Sequence, residues 1–492
     1  MDKSSVNVLS SWSRFLLKML KFSSQNCLKN KHILLACIVI IGAFLRFWQL
    51  GAWSFWADEV QTVLDAEKFS LTNPPINPIP YIVAKFSVVI GEKFSFLFDV
   101  GNEWKSRFIF CFVGIVSIPV VFSLGRLLYN SRVGLFAAAF VALSNWHLFW
   151  SQNARSYILT FLFAALTAWF FYRSFEKDST LLTLGALFCC ICLILSHLLA
   201  AAIVPALAVY ALLQLFEERH RKRWINLLIF FIPFAIPIIM FALPGIRGYI
   251  MSDWGHNEWG RSPFYILLTL VHGVSIPIAI TAFFAVIIKP FDRSILFLVC
   301  FAGVPLVLLL IASQLQNVAG YYLFWSTPAY FILAAIACEW LWERLKPESS
   351  RDLLRIVVPC VILVTLFSQD YLYFQYENGG RPKWREALQG IGANRLPTDT
   401  LVLSEPAMAQ YYLPEIAVKD IDVLVKDKEG FEEEWVRSGR NRLWFLVDVA
   451  SFNVFDKDQI VRNWIRQRGR MLGTIPAYSR AKDRTMLLYL VE

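Results

Sequence analysis

Along most of this chain apolar residues come in long unbroken runs, not in the short alternations of a soluble fold. A helix needs about 17–25 such residues to cross a bilayer. On that measure the pattern predicts spans near 33–50, 108–128, 133–150, 156–173, 180–197, 199–216, 224–243, 263–288, 294–312, 321–341 and 355–374. The split between Ser196 and Leu199 matters most, since a single element there would shift the parity of every later loop. From Gln375 onward the pattern changes. Thr400–Leu403, Leu443–Val447 and Met486–Leu490 read as buried strands, and Phe431–Arg437 and Gln459–Arg468 as amphipathic helices, the second N-capped by Asp456 or Asp458. Strand–helix alternation predicts a small α/β domain.

Composition agrees with the membrane reading. The 492 residues are 57% hydrophobic and 17% charged, with mean hydropathy +0.52, an apolar excess that one soluble core cannot hide. The net charge of +10 does not point to nucleic acid, because the basic residues sit in short clusters between apolar runs. Such clusters mark cytoplasmic loops. Six Lys/Arg precede the first span, so the N-terminus is expected inside, with the first span an uncleaved signal-anchor. Alternation then also places Arg126/Arg132, Arg173/Lys177, Arg219–Arg223, Lys289/Arg293 and Arg344–Arg355 inside. The expected organisation is a basic cytoplasmic segment (1–32), a transmembrane domain (33–374) with a long first outer loop (51–105), and an extracytoplasmic α/β domain (375–492). Eight of the nine cysteines fall in apolar runs, and no disulfide framework or metal spacing is legible, Cys189, Cys190 and Cys192 reading as small helix residues. No internal repeat is visible, which argues against transporters built from duplicated halves.

The chemistry concentrates just past the first span. Trp48, Trp53 and Trp56 suit an interfacial belt, and the adjacent carboxylates Asp58 and Glu59 follow them. At a membrane boundary, partial desolvation raises carboxyl pKa values and suits a general base. The plainer reading is that both residues open a surface helix and favour its N-terminal dipole. The Pro-rich stretch Asn73–Tyr81 is not expected inside a helix, and Ile82–Ile90, carrying Lys85, reads as an interfacial helix.

The segment Leu45–Glu59, LRFWQLGAWSFWADE, resembles the first-loop motif of GT-C glycosyltransferases that use polyprenyl-phosphate sugars, in the protein O-mannosyltransferase and aminoarabinose-transferase branch. Glu103-Trp104-Lys105-Ser106-Arg107 leading to Gly114, the turn Ser151-Gln152-Asn153-Ala154-Arg155-Ser156-Tyr157, and Arg381–Arg385 followed by Leu396–Leu403 are similar to that branch as well. One position departs: many relatives carry an arginine before the Tyr-Leu of a late span, where this chain reads Gly320-Tyr321-Tyr322-Leu323.

The resemblance implies a membrane protein of GT-C type, and with the apolar runs above the expected fold is an α-helical polytopic membrane protein with about eleven spans. The resemblance also implies an inverting transfer from a polyprenyl-phosphate-linked sugar to a protein, lipid or glycan acceptor on the outer face. Asp58 is then the base, with Glu59 supporting it or contacting the acceptor. Arg155 is expected to hold the donor phosphate, an arginine fork matching phosphate oxygens, although snorkelling to headgroups explains its place equally well. Lys85 and Arg247 are further phosphate candidates; Arg107, Tyr157, His256, Glu258 and Tyr321 are candidates for substrate contact. His147, His197 and His272 read as helix–helix hydrogen-bonding residues. A divalent metal at Asp58-Glu59 stays open, with no ligand set legible. A flippase or transporter for lipid-linked saccharide would place its ionisable residues near mid-membrane, and a polymerase or ligase would lack the first-loop Asp-Glu. No Asn-x-Ser/Thr site occurs, which favours a bacterial inner membrane.

Overall fold

The computed structural model describes residues 30–70, 72, 75–95, 100–215, 221–237, 262–290, 292–344, 352–479 and 482–492. Within them, the apolar runs read as spans are largely helical. In chain order the helices are α1 (Lys31–Phe47), α2 (Ala57–Lys68), α3 (Pro78–Ser95), α4 (Asn102–Leu128), α5 (Ser131–Ala142), α6 (Asn145–Ser151), α7 (Tyr157–Lys177) and α8 (Thr180–Ser196). After the 3-10 turn Leu198–Ala202 come α9 (Ile203–Leu215), α10 (Arg221–Pro237), α11 (Pro263–Val274), α12 (Ile276–Ile288) and α13 (Arg293–Leu315). The 3-10 segment Gly320–Ser326 leads into α14 (Thr327–Arg344), followed by α15 (Asp352–Gln375).

Among the described residues, five helical stretches are long and apolar enough to cross a membrane alone, and up to seven if each of two bent pairs counts as one span. The described helices therefore do not establish eleven crossings. Several expected spans are shorter, such as Thr180–Ser196, and two are broken: α5 and α6 meet at 62°, α11 and α12 at 100°. Physical breaks are visible at both bends. Ser144 turns the chain and caps α6, its hydroxyl accepting from the His147 N–H. Ser275 holds φ +80 between α11 and α12, and Pro277 follows in the first turn of α12. The expected interfacial helix also begins earlier than Ile82. Pro78 and Pro80 lie in the first turn of α3, where the missing amide leaves no bond unmade.

The C-terminal part adds α16 (Trp384–Asn394), β1 (Thr400–Leu403), α17 (Pro406–Tyr412), β2 (Ala417–Asp420), α18 (Ile421–Lys426), α19 (Lys428–Arg437) and β3 (Leu443–Asp448). It ends with α20 (Val449–Phe455), α21 (Ile460–Arg468), β4 (Gly469–Ile475), the short pair β5 (Tyr478–Ser479) and β6 (Lys482–Asp483), and β7 (Met486–Val491). The five-stranded sheet has the order β2-β1-β3-β7-β4. β1 runs parallel to both β2 and β3, while β7 is antiparallel to β3 and β4. All six residues of β3 are buried, as the middle strand of a covered sheet requires. Asp456 does support α21: its carboxylate accepts from the Val461 and Arg462 amides at 3.0 and 2.9 Å.

Candidate functional site

The site is built on a buried charge cluster under the first turn of α2. Glu59 is fully buried, as are its two cationic partners Arg107 of α4 and Arg381, which precedes α16. Arg107 grips the carboxylate with two prongs, Nε to Oε1 and Nη2 to Oε2, both at 2.8 Å. Arg381 Nε donates to Oε2 at 3.1 Å, the Ala154 amide to Oε1 at 3.0 Å, and the Trp56 amide to Oε2 at 3.3 Å. Both guanidinium groups also donate to carbonyls, and Arg381 to the Tyr373 hydroxyl as well. Arg107 reaches Leu50, Trp53 and Ser54, and Arg381 reaches Gly379 and Gln152. One carboxylate thus ties together the first loop, the turn before α7 and the start of the C-terminal domain.

The cluster sets the state of Glu59 and the place of Arg107. Burial alone raises the Glu59 pKa, but the neighbouring Arg107 and Arg381 outweigh it and hold the carboxyl below its ordinary value. Both Glu59 oxygens are engaged by protein donors, and the side chain has no exposed surface. Arg107 likewise is fully buried.

Asp58, one residue earlier, faces the other way, with its side chain 48% exposed. Its partner is Arg155, 26% exposed, whose Nη2 stands 3.4 Å from Oδ2. Arg155 Nη1 is held by the Asp58 carbonyl at 3.2 Å and by Thr62 Oγ1 at 2.8 Å. Thr62 in turn donates to the Asp58 carbonyl at 2.9 Å. A solvent-accessible carboxylate and a guanidinium with one loosely held prong therefore sit side by side.

Close packing fixes the turn that carries Arg155. Gln152 donates to the carbonyls of Arg46 and Trp48 at the end of α1, and accepts from the Tyr373 hydroxyl at 2.9 Å. Gly114 lets Ser151 approach α4: a Cβ added there would lie 2.2 Å from Ser151 Oγ. Behind the turn, His147 meets Arg46 at 2.8 Å and Ser117 at 2.7 Å, joining α1, α4 and α6. That is the helix-linking role expected of it.

Aromatic rings line the side of the site away from the cluster. Tyr157 packs on Trp150 at 4.0 Å and meets Tyr321 edge-on at 5.5 Å. The His197 ring lies 5.5 Å from Tyr157 and 5.6 Å from Tyr322. Tyr157 and Tyr321 are thus brought together beside Arg155, and Tyr322 and His197 join them. Lys85 is exposed on α3, one helical turn beyond Tyr81, which lies within electrostatic reach of Arg155. Arg247, His256 and Glu258 lie outside the described residues. Among the described residues no group of three or more His, Cys, Asp or Glu side chains is arranged to hold a metal ion.

The residues not singled out from the sequence come mainly from the C-terminal half. Arg381 stood in a quoted motif without a role. Glu103 receives Arg385 at 2.9 Å and the Tyr412 hydroxyl at 2.9 Å, so the C-terminal domain is latched to the start of α4. Glu103, Arg381 and Arg385 stood in the quoted motifs, whereas Tyr412 carried no signal of its own.

Residues 90–241 match the family model described as dolichyl-phosphate-mannose-protein mannosyltransferase. No curated protein matches the chain by sequence. Among solved structures, ArnT from Cupriavidus metallidurans bound to undecaprenyl phosphate is similar with a TM-score of 0.53 at 15% identity, covering 92% of this chain and 97% of that one. The same protein in its apo state gives 0.52. The apo oligosaccharyltransferase from Archaeoglobus fulgidus gives a TM-score of 0.57 at 11% identity, covering 85% of this chain and 69% of that one. Taken with the first-loop carboxylates, the helical core and the C-terminal sheet, these likenesses establish that the chain has the GT-C glycosyltransferase fold, in an ArnT-like arrangement.

Proposed function

We propose that this protein is a glycosyltransferase that moves a sugar from a polyprenyl-phosphate-linked donor to a hydroxyl-bearing acceptor at the outer face of the membrane. The observation that carries the reading is the pairing of exposed Asp58 with Arg155 at 3.4 Å, on a platform that Glu59, Arg107 and Arg381 make rigid. Preorganised charge is what such a reaction needs, since a group that is already in place costs no reorganisation at the transition state. Solved structures of similar fold are described with undecaprenyl phosphate, with dolichol-phosphate and with a tethered acceptor peptide, which supports a lipid phosphate and a separate acceptor.

In this mechanism Asp58 takes the proton of the acceptor hydroxyl. The oxygen attacks the anomeric carbon from the face opposite the phosphate, the carbon–oxygen bond to phosphate breaks, and the polyprenyl phosphate leaves with the electron pair. The configuration inverts. Arg155 lends its loosely held prong to the departing phosphate, with Lys85 a second cation on the membrane side. Phosphate is a competent leaving group, so no acid is required of the protein, unlike the two-carboxylate scheme of glycoside hydrolysis. Tyr157, Tyr321 and Tyr322 provide faces against which the sugar packs. The setting is a bacterial inner membrane with the N-terminus cytoplasmic and the C-terminal domain outside.

The test is incubation of the purified protein in sealed vesicles with labelled undecaprenyl-phosphate sugars and a panel of acceptors. Label on an acceptor, with the anomeric configuration inverted, is expected. Label that only changes leaflet would sink the transferase and leave a flippase.

A further inference from the structure

The C-terminal domain contributes its own carboxylate to the neighbourhood of Asp58. α17 leaves the carboxyl end of β1 and packs directly on α2. The Phe55 amide donates to the Tyr412 hydroxyl at 2.8 Å, the Phe55 ring meets Tyr411 edge-on at 5.4 Å, and Met408 and Ala409 share a core with Val60 and Val63. This contact brings Glu405, the residue preceding α17, into the electrostatic field of Asp58.

The sheet explains why a carboxylate stands there. From β1 the chain passes first to β2 on one side and later to β3 on the other, both parallel to β1. In open α/β sheets such a reversal leaves a crevice outside the carboxyl ends of the two diverging strands, and ligands bind in it. Here that edge carries Ser404 and Glu405 after β1, Asp420 at the end of β2 and Asp448 at the end of β3. Asp420 is occupied in capping the Asp422 amide at 2.9 Å, and Asp448 is paired with Arg484 at 2.8 Å. Among the described residues the half-buried Glu405 carboxylate makes no hydrogen bond or ion pair, and the buried Ser404 hydroxyl has no partner either.

We propose that Glu405 is the acceptor-positioning residue of the reaction centre, binding a hydroxyl of the group that Asp58 deprotonates, and that this group is a neutral or amine-bearing saccharide. The inference rests on the transferase reading above. The charge around the crevice selects the class: Asp58, Asp420 and Asp448 act on Glu405 together, with Arg484 opposing them and Arg155 paired to Asp58, so among these described residues four carboxylates stand against two cations and an anionic glycan is repelled. Burial, reinforced by Asp58, Asp420 and Asp448 and opposed by Arg484, pushes the Glu405 carboxyl up to about 7. The group therefore changes charge in the working pH range, whereas its glutamine variant does not.

Two measurements on the full-length protein in phospholipid nanodiscs test this. The first needs no turnover: a hydrophobic carbodiimide at pH 6.5, read by peptide mass spectrometry, labels protonated Glu405 faster than exposed Glu415. Methyl β-glucoside and methyl β-glucosaminide are expected to slow that labelling, and methyl β-glucuronide to leave it unchanged. The second measures transfer from labelled undecaprenyl-phosphate mannose to the same glycosides. Glu405→Gln should raise the acceptor KM about 10- to 100-fold, the worth of one hydrogen bond to a charged group, with the donor KM unchanged. It should also remove the ionisation near pH 7 from the pH profile, which a purely structural role would leave in place. No protection by any glycoside, together with an unaltered acceptor KM, overturns the role of Glu405 and leaves the transferase standing. Protection of Glu405 by the neutral glycosides in a protein that transfers no sugar does the reverse: the crevice stands and the transferase falls.

Discussion

Replacing Glu59 by glutamine keeps the side-chain volume and removes one buried negative charge from between two guanidinium groups. The native carboxylate accepts five hydrogen bonds, two at Oε1 (Arg107 Nε and Ala154 N) and three at Oε2 (Arg107 Nη2, Arg381 Nε and Trp56 N). A glutamine has one acceptor oxygen. Its least harmful orientation puts the amide nitrogen at the Oε1 position, where two donors then face a third. Breaking a buried ion pair by removing one partner costs about 3–5 kcal/mol, because the surviving charge is left uncompensated. Against a total of about 5–15 kcal/mol that is a large fraction. Thermal unfolding in detergent, followed by tryptophan fluorescence, should show the loss, and limited proteolysis should show the first loop and C-terminal domain loosening together. The native Glu59 value lies below that of the unfolded chain. Its contribution is therefore whole above about pH 4.3, the ordinary carboxyl value, and is lost as acid takes the pH down through the folded value. Glu59→Gln should remove that acid-dependent part. A variant that melts like the parent but transfers no sugar would refute the reasoning, since Glu59 would then act in the chemistry itself.

Asp58→Asn should show the opposite profile, with melting unchanged and transfer lowered by roughly 10²–10⁴-fold, as the loss of a general base predicts; single-turnover rates decide it. Arg155→Ala should weaken undecaprenyl phosphate binding, with Arg155→Lys restoring only part of it because an ammonium cannot form the planar fork; direct lipid-binding measurements separate the two. Gly114→Ala drives a Cβ to 2.2 Å from Ser151 Oγ, and overpacking of this kind costs about 1–3 kcal/mol, visible as a lowered melting temperature. Glu405→Gln should raise the melting temperature at pH 8 but hardly at all at pH 4, below the ordinary carboxyl value. An acid whose folded value is raised to about 7 costs stability progressively as the pH rises from its ordinary value towards 7, and in full above that.

Helix positions were legible because their cause is local. The apolar run at 294–312, which the structure extends to Arg293–Leu315, is set by its own length and composition, and α13 would be helical beside almost any neighbour. Crossing number was not legible in this way: the 100° break at Ser275 depends on a left-handed backbone and a proline that an apolar run does not reveal. In the sheet, β1, β3 and β7 announced themselves by continuous apolar runs, whereas β2 and β4 did not. β4 is an edge strand with Met471 and Leu472 exposed, so no buried face imposed a pattern on it.

The sequence by itself determined which segments form apolar helices, that Asp58 and Glu59 stand together just past the first of them, and that Arg155 lies in a turn between two others. Each of these follows from the order of residues along one stretch of chain. Only the tertiary structure decided where the two carboxylates point and what they pair with. Neighbours in sequence, they start a helix whose geometry turns successive side chains about 100° apart, so that Asp58 reaches solvent and Arg155 while Glu59 is driven inward onto Arg107 and Arg381. Those two arginines lie 48 and 322 residues away along the chain. The same holds for Glu405, which reaches the field of Asp58 only because α17 packs on α2. Charge partnership across such separations is a property of packing, and no local pattern encodes it.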